Sequence, residues 1–178
     1  YVQVKKKISG CEMRVLTTDE LIERKEEIDR LYLAVQNKSP VRLVMHNSDY
    51  LISLSKRLKS KVEFKGILEN GKLLAFMAGV KDHQHFEAHH IGIDYEYNKS
   101  HCLYQNILYA YIEMAILAKT PLISFGRTAL EMKTTVGAVV HTYQAYIKLN
   151  NTLLNGIACH MLPTEYEMDW IPRNPFRQ

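Results

Sequence analysis

The chain of 178 residues lacks the features that mark several large classes of protein. It has few cysteines, and these lie far apart without CxxC spacing, which predicts free thiols in a reducing compartment, with a single bridge left open as the alternative. No uninterrupted run of about 18 apolar residues occurs, and the first residues have no hydrophobic segment, so neither a membrane span nor a signal peptide is predicted. We therefore expect a cytoplasmic protein. The cysteines are Cys11, Cys102 and Cys159.

The chain also has only a small excess of positive over negative charge. The chain has 23 Lys and Arg against 19 Asp and Glu, a net charge of +4, and its one basic run is Lys5–Lys7. DNA-binding domains present a clustered basic face, so no DNA partner is predicted. The content of 47% hydrophobic and 24% charged residues is that of an ordinary globular domain, and the length predicts one domain. Tyrosine is abundant, with 11 residues, and suits a wet cleft as well as a core.

Hydrophobic spacing predicts alternating strands and helices in the first half of the chain. The sequence Glu69-Asn70-Gly71 joins two apolar runs, and Asn-Gly favours a tight hairpin because both turn positions need a positive φ. The predicted elements are strands 2–8 and 11–16, a helix 18–36 begun by a capping box at Thr17–Glu20, a helix from Asn47 to Leu58, hairpin strands 62–68 and 72–81, and a strand 85–94.

The second half continues the alternation. The predicted elements are a helix 101–118, a buried strand 122–125, a helix from a capping box at Thr128–Glu131 to Gly137, a strand 139–149, and an irregular tail 150–178 with room for one more strand. A strand meander that leads into alternating strands and helices predicts a mixed α/β domain, with one central sheet and helices on both of its faces.

This order of elements resembles the GNAT (acyl-CoA N-acyltransferase) fold, whose central sheet is mixed and mostly antiparallel. A sharper likeness lies in the segment LISFGRTALEMK at 122–133 and in Gly137-Ala138. These residues resemble the FGRTxxExK…GA stretch of a GNAT-like branch related to the Fem-type aminoacyl ligases of peptidoglycan bridges. The segments 94–98 and 103–115 also fit that branch, and the likeness covers roughly residues 12–150.

The resemblance implies transfer of an acyl group from a thioester, or of an aminoacyl group from tRNA, to a small-molecule or peptide amine. Backbone amides of the strand 85–94, around His90, Ile91 and Gly92, are then expected to stabilise the oxyanion of the donor carbonyl. The segment 98–103 at the start of the next helix is expected to receive the donor phosphates.

One feature departs from the family pattern. Acetyl-CoA-dependent members carry Q/R-x-x-G-x-G/A at the phosphate loop, whereas this chain has Asn98-Lys99-Ser100-His101-Cys102-Leu103, with no glycine. Binding of acyl-CoA in the usual manner therefore conflicts with this loop. Asn98, Lys99 and Ser100, together with Arg127 of the motif, are the residues that we expect to contact the donor. No metal cofactor is predicted.

Four residues are candidates for proton transfer. His89 or His90 would act as general base, because an imidazole titrates near neutral pH. Glu131 of the motif is the other candidate base, with a role in the capping box as the structural alternative. Tyr143 is the nearest substitute for the tyrosine that reprotonates the leaving thiolate in the family. His85, Glu87 and His89 alternate along a strand, and a polar strand face is preferred there over a metal site.

Two functions of different classes follow. The first is an N-acyltransferase, and the alternative is a catalytically degenerate GNAT-like module that serves binding or assembly. We expect an N-terminal extension at 1–11, an acyltransferase domain at 12–150 and a C-terminal tail at 151–178 that packs on it. Since Fem-type proteins resemble two fused GNAT-like units, the chain is also expected to pair with a second copy or to be part of a longer protein.

Overall fold

The computed structural model describes residues 1–38, 45–143, 146, 148–161, 171–173 and 175. The chain divides into two compact units, Tyr1–Arg127 and Thr128–Gln178. Among the described residues, no helix is long and apolar enough to cross a bilayer. The helices and strands of the first unit are α1 (Val2–Lys6), β1 (Glu12–Val15), α2 (Thr18–Glu23), α3 (Lys25–Lys38), α4 (Ser48–Leu58), a 3-10 turn (Lys59–Lys61), β2 (Val62–Glu69), β3 (Lys72–Lys81), β4 (His85–Ile93), α5 (Tyr95–His101), α6 (Leu103–Leu117) and β5 (Leu122–Ser124).

The sheet of the first unit has five strands in the order β1-β2-β3-β4-β5. The first four strands pair antiparallel, and β5 pairs parallel to β4. The hairpin between β2 and β3 turns at Asn70 and Gly71, with φ of 50° and 80°, as the Asn-Gly signal predicts. β3 is buried along its length and lies at the centre of the sheet. The predicted mixed, mostly antiparallel α/β fold is confirmed.

Helices cover both faces of this sheet. On one face α6 packs against β3 and β4 through an apolar stripe, and on the other face α2, α3 and α4 form a second core with the opposite side chains of the strands. The first core includes Ile67, Met77, Phe86, Ile93, Ile107, Tyr111 and Met114. The second includes Leu21, Ile28, Leu31, Leu51, Phe64, Leu73 and Phe76.

Three local predictions in the first unit are wrong. Residues 2–8 were predicted as a strand, but they form the short helix α1 and a turn, and Ile8 is buried in the first core. The predicted helix 18–36 is two helices separated at Arg24. The predicted helix 101–118 is preceded by helix α5, which the sequence does not predict: Asp94 caps its start, and it ends at Cys102, which has a left-handed φ of 48°.

The second unit contains α7 (Leu130–Thr134) and α8 (Thr152–Met161). The capping box predicted at Thr128–Glu131 does not form, since α7 begins after Ala129, which has a φ of 52° and no side-chain cap. The described residues of the predicted strand 139–149 have no regular structure. The tail predicted as irregular contains α8. The domain limits expected at residues 12 and 150 stay a prediction.

Candidate active site

A β-bulge in β4 organises the candidate site. Ala78 of β3 pairs with His90, and the next residue of β3, Gly79, pairs with Ala88, so that His89 is an extra residue without a partner on β3. A bulge bends its strand and changes which face the following side chains take. Phe86 before the bulge and Ile93 after it accordingly contact the same core, although they are seven positions apart and strict alternation would place them on opposite faces. The bulge turns the two adjacent imidazoles toward residues on the side of α3 and α4.

Four side chains then form a group, which we call the histidine cluster: His46, Tyr50, His89 and His90. His46 Nδ1 lies 3.0 Å from His90 Nε2, and the Tyr50 hydroxyl lies 3.2 Å from His89 Nε2. The rings of His46 and Tyr50 stack with centroids 4.1 Å apart, and those of His89 and His90 meet edge to face at 4.3 Å.

Within the cluster, His89 lies between an acid and a hydroxyl. Its Nδ1 is 3.5 Å from Glu87 Oε1, in ion-pair range, while its Nε2 faces Tyr50. The side chain of His89 is 24% exposed, which leaves it accessible to a reactant. A carboxylate beside Nδ1 orients the ring. The arrangement suits the abstraction and return of a proton at Nε2.

His90 lies in a very different environment one residue later. It is 8% exposed, packs against the Tyr32 ring at 5.4 Å, and its Nδ1 has no hydrogen-bond partner among the described residues. Burial, followed by the neighbouring imidazoles of His89 and His46, lowers the pKa of His90 from 6.5 to about 3. His90 is therefore neutral at physiological pH, and it is a much weaker base than an ordinary imidazole.

Two polar contacts hold the cluster in place. The Asp29 carboxylate of α3 accepts hydrogen bonds from the Ser48 amide at 2.6 Å and from the Ser48 hydroxyl at 2.8 Å. These bonds fix the start of α4 on α3, two residues before Tyr50. The buried Tyr111 hydroxyl of α6 donates to the carbonyls of Ala78 at 3.2 Å and His90 at 2.8 Å, which are paired across the sheet next to the bulge.

The free edge of β4 is the second part of the site. β5 pairs with β4 only from His85 to Glu87, and among the described residues no strand pairs with that edge beyond Glu87. Alternate backbone N–H groups of the following residues therefore point away from β3. Ile91 and Gly92, the predicted oxyanion residues, lie on this stretch, Ile91 half-buried and Gly92 buried. A Cβ at Gly92 would lie 2.2 Å from Phe76 Cε1, so the strand needs glycine there.

The residues predicted to hold the donor phosphates lie at the junction of α5 and α6. Asn98 Oδ1 accepts the Tyr104 amide at 2.9 Å, so this amide at the start of α6 is already satisfied. Ser100 bonds to Tyr97 and His101. Lys99 is exposed and has no ion pair among the described residues. Together with the missing glycines, this arrangement does not fit the usual backbone cradle for CoA phosphates.

The motif residues Arg127 and Glu131 belong to different compact units of the chain. Arg127 is the exposed last residue of the first unit and follows Gly126, which has a left-handed φ of 70°. In the second unit, Arg173 Nε lies 2.8 Å from Glu131 Oε1, so an ion pair occupies the predicted base. Tyr143 is 89% exposed and lies in an irregular segment, not on the predicted strand.

The polar stripe of β4 does not form a metal-ligand group among the described side chains. His85 and Glu87 are exposed, and His89 is half-buried. The sequence prediction thus includes His89 and His90 but misses His46 and Tyr50, which lie about 40 residues earlier. The helix cap at Asn47 is the sequence signal that could have indicated these two residues. Asn47 accepts the Tyr50 amide at 3.2 Å, and this cap places His46 and Tyr50 on either side of the start of α4.

Comparison with known proteins identifies the fold. No family model matches the chain, and no curated protein matches its sequence. Solved structures do match. An aminoglycoside acetyltransferase from an uncultured soil metagenomic sample superposes with a TM-score of 0.58 at 11% identity, covering 79% of this chain and 97% of its own. A predicted acetyltransferase from Clostridium acetobutylicum, solved with acetyl-CoA, gives a TM-score of 0.58 at 10% identity, covering 79% and 96%.

A GNAT family acetyltransferase from Staphylococcus aureus gives a TM-score of 0.53 at 12% identity, covering 79% of this chain and 99% of its own. Identities this low show the fold alone. The chain has the GNAT fold, as the order of its predicted elements indicates, and the Fem-type branch stays a prediction.

Proposed function

We propose that the chain is an N-acyltransferase, in which His89 acts as general base and the free edge of β4 stabilises the oxyanion. The observation that carries the proposal is the position of His89, held between Glu87 and Tyr50 at the bulge from which that free edge continues. The structural neighbours with this fold are acetyltransferases, which favours the same chemistry here.

In the reaction, the nitrogen of a neutral amine attacks the carbonyl carbon of the donor. The C–N bond forms, the negative charge on the carbonyl oxygen is stabilised by an N–H of the β4 edge, and His89 Nε2 takes the proton from the amine. Collapse then breaks the bond from carbon to the leaving group. The thiolate of CoA, or the ribose oxygen of tRNA, leaves with the proton returned by His89 or passed through the Tyr50 hydroxyl.

The donor is an acyl thioester or an aminoacyl-tRNA. The resemblance of residues 122–133 to the Fem-type branch favours the aminoacyl donor, and so does the junction of α5 and α6, which lacks the usual phosphate cradle. Lys99 and Arg127 are the exposed cations proposed to contact donor phosphates in either case. The acceptor is an amine of a small molecule or peptide. The ion pair of Glu131 with Arg173 makes Glu131 the weaker candidate for the base.

The test has two stages. Thermal shift with CoA, acetyl-CoA and longer acyl-CoAs, followed by mass spectrometry of an amine panel, identifies a thioester donor, and charged tRNA replaces the thioester if no stabilisation occurs. With the active donor, His89→Gln is expected to lower kcat by about 100-fold or more. His85→Gln, on the same strand but exposed, is the matched control. Equal kcat in His89→Gln and wild type would exclude His89 as base, and no product from either donor would favour the binding module.

A further inference from the structure

A second group of polar side chains lies in the first unit and takes no part in the proposed reaction. Cys11 follows α1, Glu69 ends β2 and His101 ends α5. Their ligand atoms, one thiol sulfur, one carboxylate oxygen and one imidazole nitrogen, all lie within 4.8 Å of one another. We call these residues the cysteine cluster. All three are half-buried, and Cys11 is a free thiol.

The hydrogen bonds of His101 direct one ring nitrogen into this cluster. The Ser100 hydroxyl lies 3.1 Å from the Tyr97 carbonyl and 2.8 Å from His101 Nδ1. When Ser100 donates to the Tyr97 carbonyl, His101 Nδ1 is the donor in the second bond, and Nε2 is then the ring nitrogen that can bind a metal ion. This Nε2 atom lies 3.1 Å from Glu69 Oε1. An Nε2–H donates to this carboxylate oxygen, and a metal ion that displaces the proton would find two ligand atoms already facing each other.

We propose that Cys11, Glu69 and His101 bind a divalent transition metal ion, with Zn²⁺ as the preferred ion. Sulfur, nitrogen and oxygen ligands in one site suit a metal of borderline softness. With bond lengths of about 2.0–2.3 Å, tetrahedral ligand atoms are separated by roughly 3.3–3.6 Å. The His101–Glu69 separation is already close to this value, and the Cys11 sulfur lies within 4.8 Å of both atoms, so it would have to move closer to act as the third ligand.

Two further features support the site. Metal-binding histidines usually donate their second N–H to a partner that fixes the ring, and the Ser100 hydroxyl is placed to accept that bond from His101 Nδ1. The three ligands also come from three different segments, so the ion would tether the N-terminal segment to the sheet and to α5. Three protein ligands leave one tetrahedral position for water, so we expect an accessible, exchangeable ion.

Cobalt(II) provides a direct probe, because a thiolate ligand gives it an intense near-ultraviolet charge-transfer band. Titration of the reduced chain with Co²⁺ is expected to produce this band at one equivalent. Cys11→Ser should abolish the band, and His101→Ala should weaken Co²⁺ binding by about 10-fold or more. Cys102→Ser, which removes the thiol next to His101, is the matched control and should retain the band. No band in the wild type, or an unchanged band in Cys11→Ser, overturns the proposal.

A second measurement works on the wild-type chain and does not depend on the folding of a variant. Iodoacetamide labelling with and without Zn²⁺, read by peptide mass spectrometry, is expected to show at least 10-fold slower alkylation of Cys11 with Zn²⁺. Alkylation of Cys102 should be unchanged. Equal labelling of Cys11 in both conditions, or protection of Cys102 alone, would contradict the site.

Discussion

The histidine cluster and the cysteine cluster place imidazoles in opposite electrostatic surroundings within the same unit. His90 is buried among uncharged rings, and the nearest ionisable neighbours are two further imidazoles, so a positive charge there has no compensation. His101 faces the Glu69 carboxylate directly, with a thiol nearby. Burial therefore disfavours a positive charge at His90, whereas His101 has a carboxylate oxygen within hydrogen-bonding distance.

The two clusters also differ in how the fold builds them. The histidine cluster depends on a bulge in the middle of β4, which brings two adjacent residues to one group of partners. The cysteine cluster collects residues at or next to the ends of three elements and needs no irregularity within a strand. Perturbation of the bulge should thus affect the first cluster and leave the second unchanged.

The largest expected effect is the response of stability to acid at His90. Its pKa of about 3 in the folded chain lies below the ordinary 6.5, so between these values the unfolded chain binds a proton that the folded chain does not. This contribution to stability is complete above pH 6.5 and is lost as the pH falls, by at most about 1.4 kcal/mol per pH unit, or about 3 kcal/mol by pH 4.

Urea unfolding at pH 7, 6, 5 and 4 measures this loss. His90→Gln is expected to show a smaller decrease in unfolding free energy over this range than the wild type, because the titrating group is gone. The exposed His85→Gln should follow the wild type. Parallel curves for the wild type and His90→Gln would show that His90 is not held neutral by the fold.

The next largest effect is expected from Tyr111→Phe. The substitution removes the hydroxyl that bonds to the Ala78 and His90 carbonyls, and a buried group left without its partner costs about 1–3 kcal/mol. Tyr109→Phe, on the same helix, is the control and should change stability by less than about 0.5 kcal/mol. Chemical denaturation measures both variants.

Tyr111→Phe also tests the separation of the two clusters. Acyl transfer should fall, because the bulge that positions His89 and His90 loses a support, whereas Co²⁺ binding at Cys11 should be unchanged. A loss of Co²⁺ affinity equal to the loss of turnover would mean that the substitution loosens the whole unit, and the comparison would fail.

The sequence predicts most of the strands and helices of the first unit, because the signals for their boundaries are local. The Asn70-Gly71 turn, the Thr17 capping box and the Asn47 cap each determine a boundary through a few neighbouring residues. The bulge at His89 has no such signal. Strict alternation places adjacent residues on opposite faces, and only pairing with β3 shows that His89 and His90 share partners.

The motif at 122–133 shows where local sequence patterns fail to predict the structure. Its resemblance to a family branch indicates the fold, but the capping box read from Thr128 and Glu131 is wrong, because Ala129 takes a left-handed conformation and Glu131 pairs with Arg173. Arg173 lies 42 residues later in the chain, beyond the reach of a local pattern. A capping box is defined by local spacing, whereas the partner of the Glu131 carboxylate is set by the fold.

Ser100→Ala is expected to have the smallest effect on folding but a clear effect on metal binding. Ser100 is exposed, so its loss should change the unfolding free energy by no more than about 0.5 kcal/mol. Co²⁺ affinity should nevertheless fall by about 10-fold, because His101 loses the partner that fixes its ring. Two roles have been considered for Ser100, contact with the donor phosphates and support of the His101 ring, and the KM for the donor distinguishes them. An unchanged KM assigns Ser100 to the cysteine cluster, whereas a raised KM with unchanged Co²⁺ affinity would assign it to the donor phosphates instead.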